Sequence, residues 1–160
     1  MNEKNLDNFA ISKEMFAWIL NNIPEGSTIL EFGSGTGTIE LTNHYTVYSI
    51  EQDSQWVEKA EKSNYIHAPI VNGWYDANIV FNNIPKDYDL IIVDGPRGPE
   101  HRSGIDKHWG KLNTNIPIIF DDTHRESDKN HAINVANILN KEWKEICGWE
   151  KNFIIVHYEL

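Results

Sequence analysis

The sequence predicts an α/β domain: a seven-stranded, mostly parallel sheet with helices on both faces and an antiparallel hairpin at its C-terminal end. Three observations predict it. Apolar runs alternate with helix-periodic segments from end to end, the pattern of strands joined by crossover helices. The run Leu90–Val93 (LIIV) is apolar at every position, as a strand covered on both faces must be. A third run, ending at Phe32, leads directly into three glycines in five positions, Gly33, Gly35 and Gly37.

The elements follow in order. Ser12 to Ile23 reads as a leading helix, with Met15, Phe16, Ile19 and Leu20 on one face and Pro24 and Gly26 stopping it. Thr28 to Phe32 is a buried strand feeding the glycine loop, and Thr38 to Asn43 a short helix. Thr46 to Ile50 is the second strand, followed by a helix from Ser54 to Lys62. Tyr65 to Val71 is the third strand, Leu90 to Val93 the fourth and Ile116 to Phe120 the fifth. Glu126 to Leu139 is a well-patterned helix. Trp143 to Trp149 and Phe153 to Tyr158 close the chain as an antiparallel pair at a sheet edge. There is no internal repeat or Gly/Ser-rich linker, so residues 1–160 read as one domain.

The totals exclude some functions. A net charge of −10 argues against a phosphate-backbone partner, which needs a clustered basic surface. Backbone N–H groups can still bind an anion locally, so a nucleotide cofactor remains compatible. Cys147 is the only cysteine, which removes an internal disulfide and a thiolate metal site and leaves an inert, half-buried residue as its expected state. The start, MNEKNLDNFAISKEMF, is polar where a signal peptide would be basic and then apolar. No apolar run approaches the roughly 18 residues of a membrane span. A cytoplasmic protein without membrane or nucleic-acid partners is expected.

A strand, a glycine-rich turn and a helix place free N–H groups and a positive helix end at the carboxyl edge of a sheet. Gly33, Gly35 and Gly37 would permit positive φ and leave no Cβ to hold a ligand away. Two cofactor classes compete. In a dinucleotide fingerprint the third glycine falls where Thr38 stands, and an acid follows about 20 positions on. Glu51, which ends the second strand, meets the second requirement for either class. Glu31, two residues before the first glycine, discriminates between them.

With Glu31, Gly33, Gly35 and Gly37 in place as E-x-G-x-G-x-G, the chain resembles the class I, Rossmann-like methyltransferases that use S-adenosylmethionine (SAM). The resemblance extends over nearly the whole chain through the strand order. It implies that the glycine loop, with Ser34, receives the methionine part of SAM, and that Glu51, with Gln52 beside it, holds the ribose. Trp74 and Tyr75 follow the third strand, where a flat apolar side chain stacks on adenine or packs in the core. Asp76 accepts the adenine amino group or caps the next helix.

Ligands of doubly wound sheets sit outside the carboxyl ends of the strands. The fourth strand ends in Asp94 and the fifth in Asp121 and Asp122. Three hard oxygen ligands suit Mg²⁺ or another divalent cation, which would lower the pKa of an acceptor hydroxyl and orient it. The placement resembles catechol-type and certain sugar O-methyltransferases, in which such acids bind Mg²⁺. The alternative is that Asp121 and Asp122 lead into a capping box, Thr123-His124-Arg125-Glu126. The segment GPRGPEHRSGI is similar to the corresponding loop of glucuronoxylan methyltransferases, which would make Arg97 and Arg102 clamps on an acidic or hydroxyl-rich acceptor.

His101, His108 and His124 lie on the segments after the fourth and fifth strands. His124 is the first candidate for a general base, with Asp94 and Asp121 as its catalytic companions. Ser34 lacks the spacing of a nucleophile elbow. The expected activity is SAM-dependent methyl transfer to an oxygen of a small or carbohydrate-like acceptor, with a homodimer able to complete the acceptor wall. The alternatives are an NAD-dependent oxidoreductase, or a SAM-binding interaction protein without turnover.

Overall fold

A computed structural model of the chain describes residues 11–57, 59–97 and 102–157. The elements are α1 (Lys13–Asn22), β1 (Thr28–Phe32), α2 (Thr36–Leu41), β2 (Thr46–Glu51), β3 (Asn64–His67), β4 (Ile70–Val71), β5 (Trp74–Tyr75), α3 (Ala77–Asn83), β6 (Leu90–Val93), β7 (Ile118–Phe120), α4 (Glu126–Leu139), β8 (Trp143–Cys147) and β9 (Asn152–Val156). The main sheet has the order β3-β2-β1-β6-β7-β9-β8. Strands β3, β2, β1, β6 and β7 are parallel; β9 runs antiparallel to β7 and to β8. This is the seven-stranded sheet with a terminal hairpin that the alternation predicts.

Period-two alternation explains why both faces are covered. Ile29, Leu90, Ile92, Ile119 and Ile155 point to one side and pack with Met15, Ile19 and Ile23 of the α1 region. Leu30, Phe32, Ile91, Val93, Ile118 and Ile154 point to the other and meet Val80 of α3 and Ala132, Val135 and Ala136 of α4. Ser12 caps α1, its hydroxyl accepting from Met15 N at 3.1 Å. No helix among the described residues is long and apolar enough to cross a membrane.

Leu20, expected on the apolar face of α1, is exposed, α2 begins two residues earlier than expected, and three further segments differ from the sequence expectation. The helix expected from Ser54 to Lys62 is replaced over the described residues by turns. Asp53 Oδ1 accepts from Gln55 N at 2.9 Å, and Trp56 N and Lys59 N bond three residues back rather than four. Asp offers the backbone this local alternative to a helix. The strand expected from Tyr65 to Val71 breaks at Pro69, which has no N–H to donate. Beyond it β4 pairs antiparallel with β5 across Asn72 and Gly73, both at positive φ (54° and 83°), the Asn-Gly signature of a tight hairpin. Finally, β7 starts at Ile118, after Pro117, rather than at Ile116. The end of the last expected strand, Tyr158, lies outside the described residues.

Candidate active site

The chain leaves β1 toward β2 and β3 on one side, and returns to β6 and β7 on the other. The gap between the carboxyl ends of β1 and β6 is therefore the topological switch point, where α/β sheets bind ligands. Both strands end there in function-bearing residues.

On the β1 side, Glu31 lies with 2 % exposure beneath the glycine loop. Its carboxylate accepts from Thr38 Oγ1 at 3.0 and 2.8 Å and from Ser49 Oγ at 2.8 Å, while Thr38 Oγ1 in turn accepts from Gly35 N at 3.2 Å. Burial pushes the Glu31 carboxyl up to about 7 against the pull of those hydrogen bonds. Glu51 braces the same loop from β2. One of its oxygens accepts from Ser34 N at 2.8 Å and the other from Asp53 N at 2.9 Å. A carboxylate has about four lone-pair positions, so each oxygen retains capacity for a hydroxyl.

The three glycines differ in what demands them. Only Gly33 takes positive φ (92°), and a Cβ there would lie 2.9 Å from the backbone C and O of Asp94 and from Gly95 N. Its small size lets the loop after β1 touch the loop after β6. Gly35 is extended (φ −158°) as the N-cap of α2. Gly37 is inside α2, and a Cβ there would meet Ile11 at 2.7 Å. Two of the three glycines are thus required by protein neighbours.

On the β6 side the ladder itself aligns the acids. Asp94 N donates to Phe32 O at 2.9 Å and Asp121 N to Val93 O at 3.1 Å, which sets the ends of β1, β6 and β7 side by side. Carboxylate oxygens of Asp94, Asp121 and Asp122 lie within 4.8 Å of one another, as the sequence reading expected. Three cations lie among them. Arg102, with 8 % exposure, donates from Nη2 to Asp94 O (3.0 Å), Asp94 Oδ1 (3.3 Å) and Asp122 Oδ2 (3.0 Å), and from Nη1 to Asp121 O and Asp128 Oδ1, both at 3.4 Å. Lys151 Nζ lies 2.8 Å from Asp121 Oδ2 and 3.8 Å from Asp122 Oδ1. Arg125 pairs with Asp122, and with Asp128 at 2.9 Å.

Burial first, and the neighbouring acids next, raise the carboxyls of Asp94 and Asp121. Burial also opposes ionisation of Asp122, but Arg102, Lys151 and Arg125 outweigh it and hold its carboxyl below the usual range. A divalent ion does not fit this donor set. The oxygens of Asp121 accept from Asp122 N and from Lys151, and Asp122 is shared between two guanidinium groups, so an entering ion would meet these cations at contact distance. Arg102, expected as an acceptor clamp, instead turns its guanidinium into the acid cluster.

The other expected residues fall into place as follows. Trp74 is buried, with His108 stacked on it at 4.6 Å and Phe32 at 5.6 Å, so its ring is part of the core. Burial also lowers the His108 pKa. Asp76 caps α3, accepting from Asn78 N (3.0 Å) and Ile79 N (3.3 Å). Gln52 follows Glu51 and carries a buried Oε1 without a hydrogen-bond partner. Arg97 and His124 are exposed on the loops after β6 and β7. The capping box does not form: Arg125 is the N-cap of α4, and Thr123 Oγ1 donates to Glu145 instead. Cys147 is exposed rather than half-buried; His101 lies outside the described residues. Sequence reading missed Lys151, on the turn between β8 and β9, and Asp128, on α4, since neither belongs to a local motif.

The chain's fold is similar to that of several solved methyltransferases. A Pyrococcus furiosus methyltransferase superposes with a TM-score of 0.62 at 16 % identity, covering 90 % of this chain and 81 % of that one. The chain has the class I SAM-dependent methyltransferase fold. A Staphylococcus aureus protein assigned as a caffeoyl-CoA O-methyltransferase gives a TM-score of 0.64 at 12 % identity, covering 91 % and 84 %. Magnesium protoporphyrin IX methyltransferase from Synechocystis, with SAM bound, gives 0.54 at 14 % identity, covering 89 % and 74 %. No protein-family model and no curated protein matches the chain in sequence. The acceptors named for similar structures run from a porphyrin and caffeoyl-CoA to rRNA and tRNA.

Proposed function

We propose that the chain is a SAM-dependent methyltransferase acting on an oxygen of a small or carbohydrate-like acceptor. The observation that carries the reading is the contact of Gly33 with Asp94 and Gly95 at the switch point, which sets the proposed cofactor loop directly beside a half-buried acid. SAM would supply an electrophilic methyl group on a sulfonium. The residues present fit it: Glu51 retains lone pairs for ribose hydroxyls, and the orphaned Gln52 Oε1 beside it awaits a donor.

The chain's own groups then have distinct tasks. Glu31 anchors the loop through Thr38, so Ser34 and Gly35 keep one conformation. Asp94, its carboxyl raised by burial and set beside the glycine loop, is the proposed base for an acceptor hydroxyl in place of the exposed His124. Arg97, exposed three residues beyond it on the loop after β6, is the proposed contact for an acceptor. Positioning supplies the remainder, since transfer needs no covalent enzyme intermediate.

Calorimetric titration with SAM, S-adenosylhomocysteine and NAD tests the first half. Binding of the two adenosyl ligands, abolished by Gly35→Arg, is the expected result; binding of NAD alone would overturn the reading in favour of an oxidoreductase. A screen of hydroxylated acceptors with methyl-labelled SAM tests the second half. Transfer to nitrogen or to RNA, with none to oxygen, would refute the acceptor class.

A further inference from the structure

We infer that Lys151 and Arg102 stand in the place of a divalent cation, making the Asp94–Asp121–Asp122 triad a site with a built-in positive charge. The inference goes beyond the proposed activity and needs neither SAM nor acceptor to test.

The geometry is that of an occupied site. Lys151 Nζ sits 2.8 Å from Asp121 Oδ2 and 3.8 Å from Asp122 Oδ1. Arg102 Nη2 spans the other pair, 3.3 Å from Asp94 Oδ1 and 3.0 Å from Asp122 Oδ2. Together they touch all three acids of the triad. A Mg²⁺ ion needs carboxylate oxygens at about 2.0–2.1 Å and octahedral surroundings. An ammonium and a guanidinium at these positions offer no lone pair to complete them, and they repel a second cation at close range. The side chains are held rather than passing through: those of Arg102 and Lys151 are 10 % and 14 % exposed, and that of Asp121 is fully buried.

The two cations also come from different parts of the chain. Arg102 precedes the short helical turns before β7, whereas Lys151 is delivered by the turn of the C-terminal hairpin, 30 residues past Asp121. Lys151 is therefore a positioning residue: it fixes the Asp121 carboxylate and neutralises part of a cluster that would otherwise attract a metal ion. In the proposed reaction it would leave methyl transfer independent of added metal.

Electron paramagnetic resonance of Mn²⁺ with the full chain tests this directly, because bound and aqueous Mn²⁺ give distinct signals. The wild-type chain should leave the aqueous signal unattenuated at about millimolar metal, while Lys151→Met should bind Mn²⁺ at least about tenfold more tightly, one repelling charge having been removed at contact distance. Lys151→Arg, which restores a cation, should return to wild-type behaviour. Tight Mn²⁺ binding by the wild-type chain that is lost in Asp121→Asn would overturn the inference, whether or not Lys151→Met folds. A folded Lys151→Met chain, verified by circular dichroism, that still ignores Mn²⁺ would overturn it as well.

Discussion

Replacing Gly33 by alanine measures the contact that joins the two halves of the site. Two costs are expected. A side chain at φ 92° is in a region L-residues avoid, at about 1–2 kcal/mol. The added Cβ would also lie 2.9 Å from three backbone atoms of Asp94 and Gly95, which cannot rotate away as a flexible side chain could. Moving one loop off the other adds a packing cost of about 1–3 kcal/mol. For a domain of this size each kcal/mol lowers the melting temperature by about 2–4 °C, so Gly33→Ala should lose about 10 °C.

Gly26→Ala is the matched control. Gly26 has nearly the same φ (85°), yet a Cβ there meets nothing within 4 Å. It carries the conformational cost alone and should lose about 3–6 °C. The gap between the two variants, read by calorimetry or circular dichroism, reports the loop-to-loop contact. Equal losses would mean that the loops after β1 and β6 do not touch, and the proposed adjacency of cofactor loop and Asp94 would fall with them.

Three other substitutions follow from the same geometry. Burial places the folded-state pKa of Glu31 at about 7, above its ordinary value of 4.5. Its contribution is therefore fully present below about pH 4.5 and lost as pH rises through 7. The fall in unfolding free energy between pH 5 and 8 should be smaller in Glu31→Gln by about 3 kcal/mol, and identical pH profiles would refute the assignment. In Glu51→Gln the amide nitrogen must face Ser34 N or Asp53 N, donor against donor; SAM affinity should drop about tenfold or more in titration calorimetry. An unchanged affinity would remove Glu51 as the ribose ligand. Asp76→Ala strips the N-cap of α3 and should cost about 1 kcal/mol, with SAM affinity intact; a loss of SAM affinity in a fully stable protein would assign Asp76 to adenine instead.

Strand positions were legible because apolar runs of limited length have few alternatives in an α/β chain. β1, β6 and α4 have the expected bounds, and Glu51 ends β2 as its spacing from the glycines suggests. The errors arise where a local hydrogen bond competes with periodicity. Asp53 diverts the segment after β2 into turns, and Asn72-Gly73 folds the end of the third expected strand back on itself, a hairpin signal visible in the sequence and overridden by reading the run as continuous. The site was legible only to the level of which strand ends carry acids. That Arg102 points inward and that Lys151 arrives from the hairpin depend on tertiary proximity, which no spacing encodes. The glycine motif was read for its pattern, but Gly37 owes its size to Ile11 and Gly33 to Asp94.

One physical arrangement underlies both halves of the site. Three adjacent parallel strands, β1, β6 and β7, end in or lead directly into Glu31, Asp94 and Asp121, and burial raises the carboxyl of each. Their compensation is uneven. Asp94 and Asp121 face Arg102 and Lys151, whereas among the described residues the carboxylate of Glu31 accepts from the hydroxyls of Thr38 and Ser49. The cationic side chains are therefore gathered toward β7, and on the glycine-loop side the cost of burying Glu31 is met by a carboxyl raised to about 7.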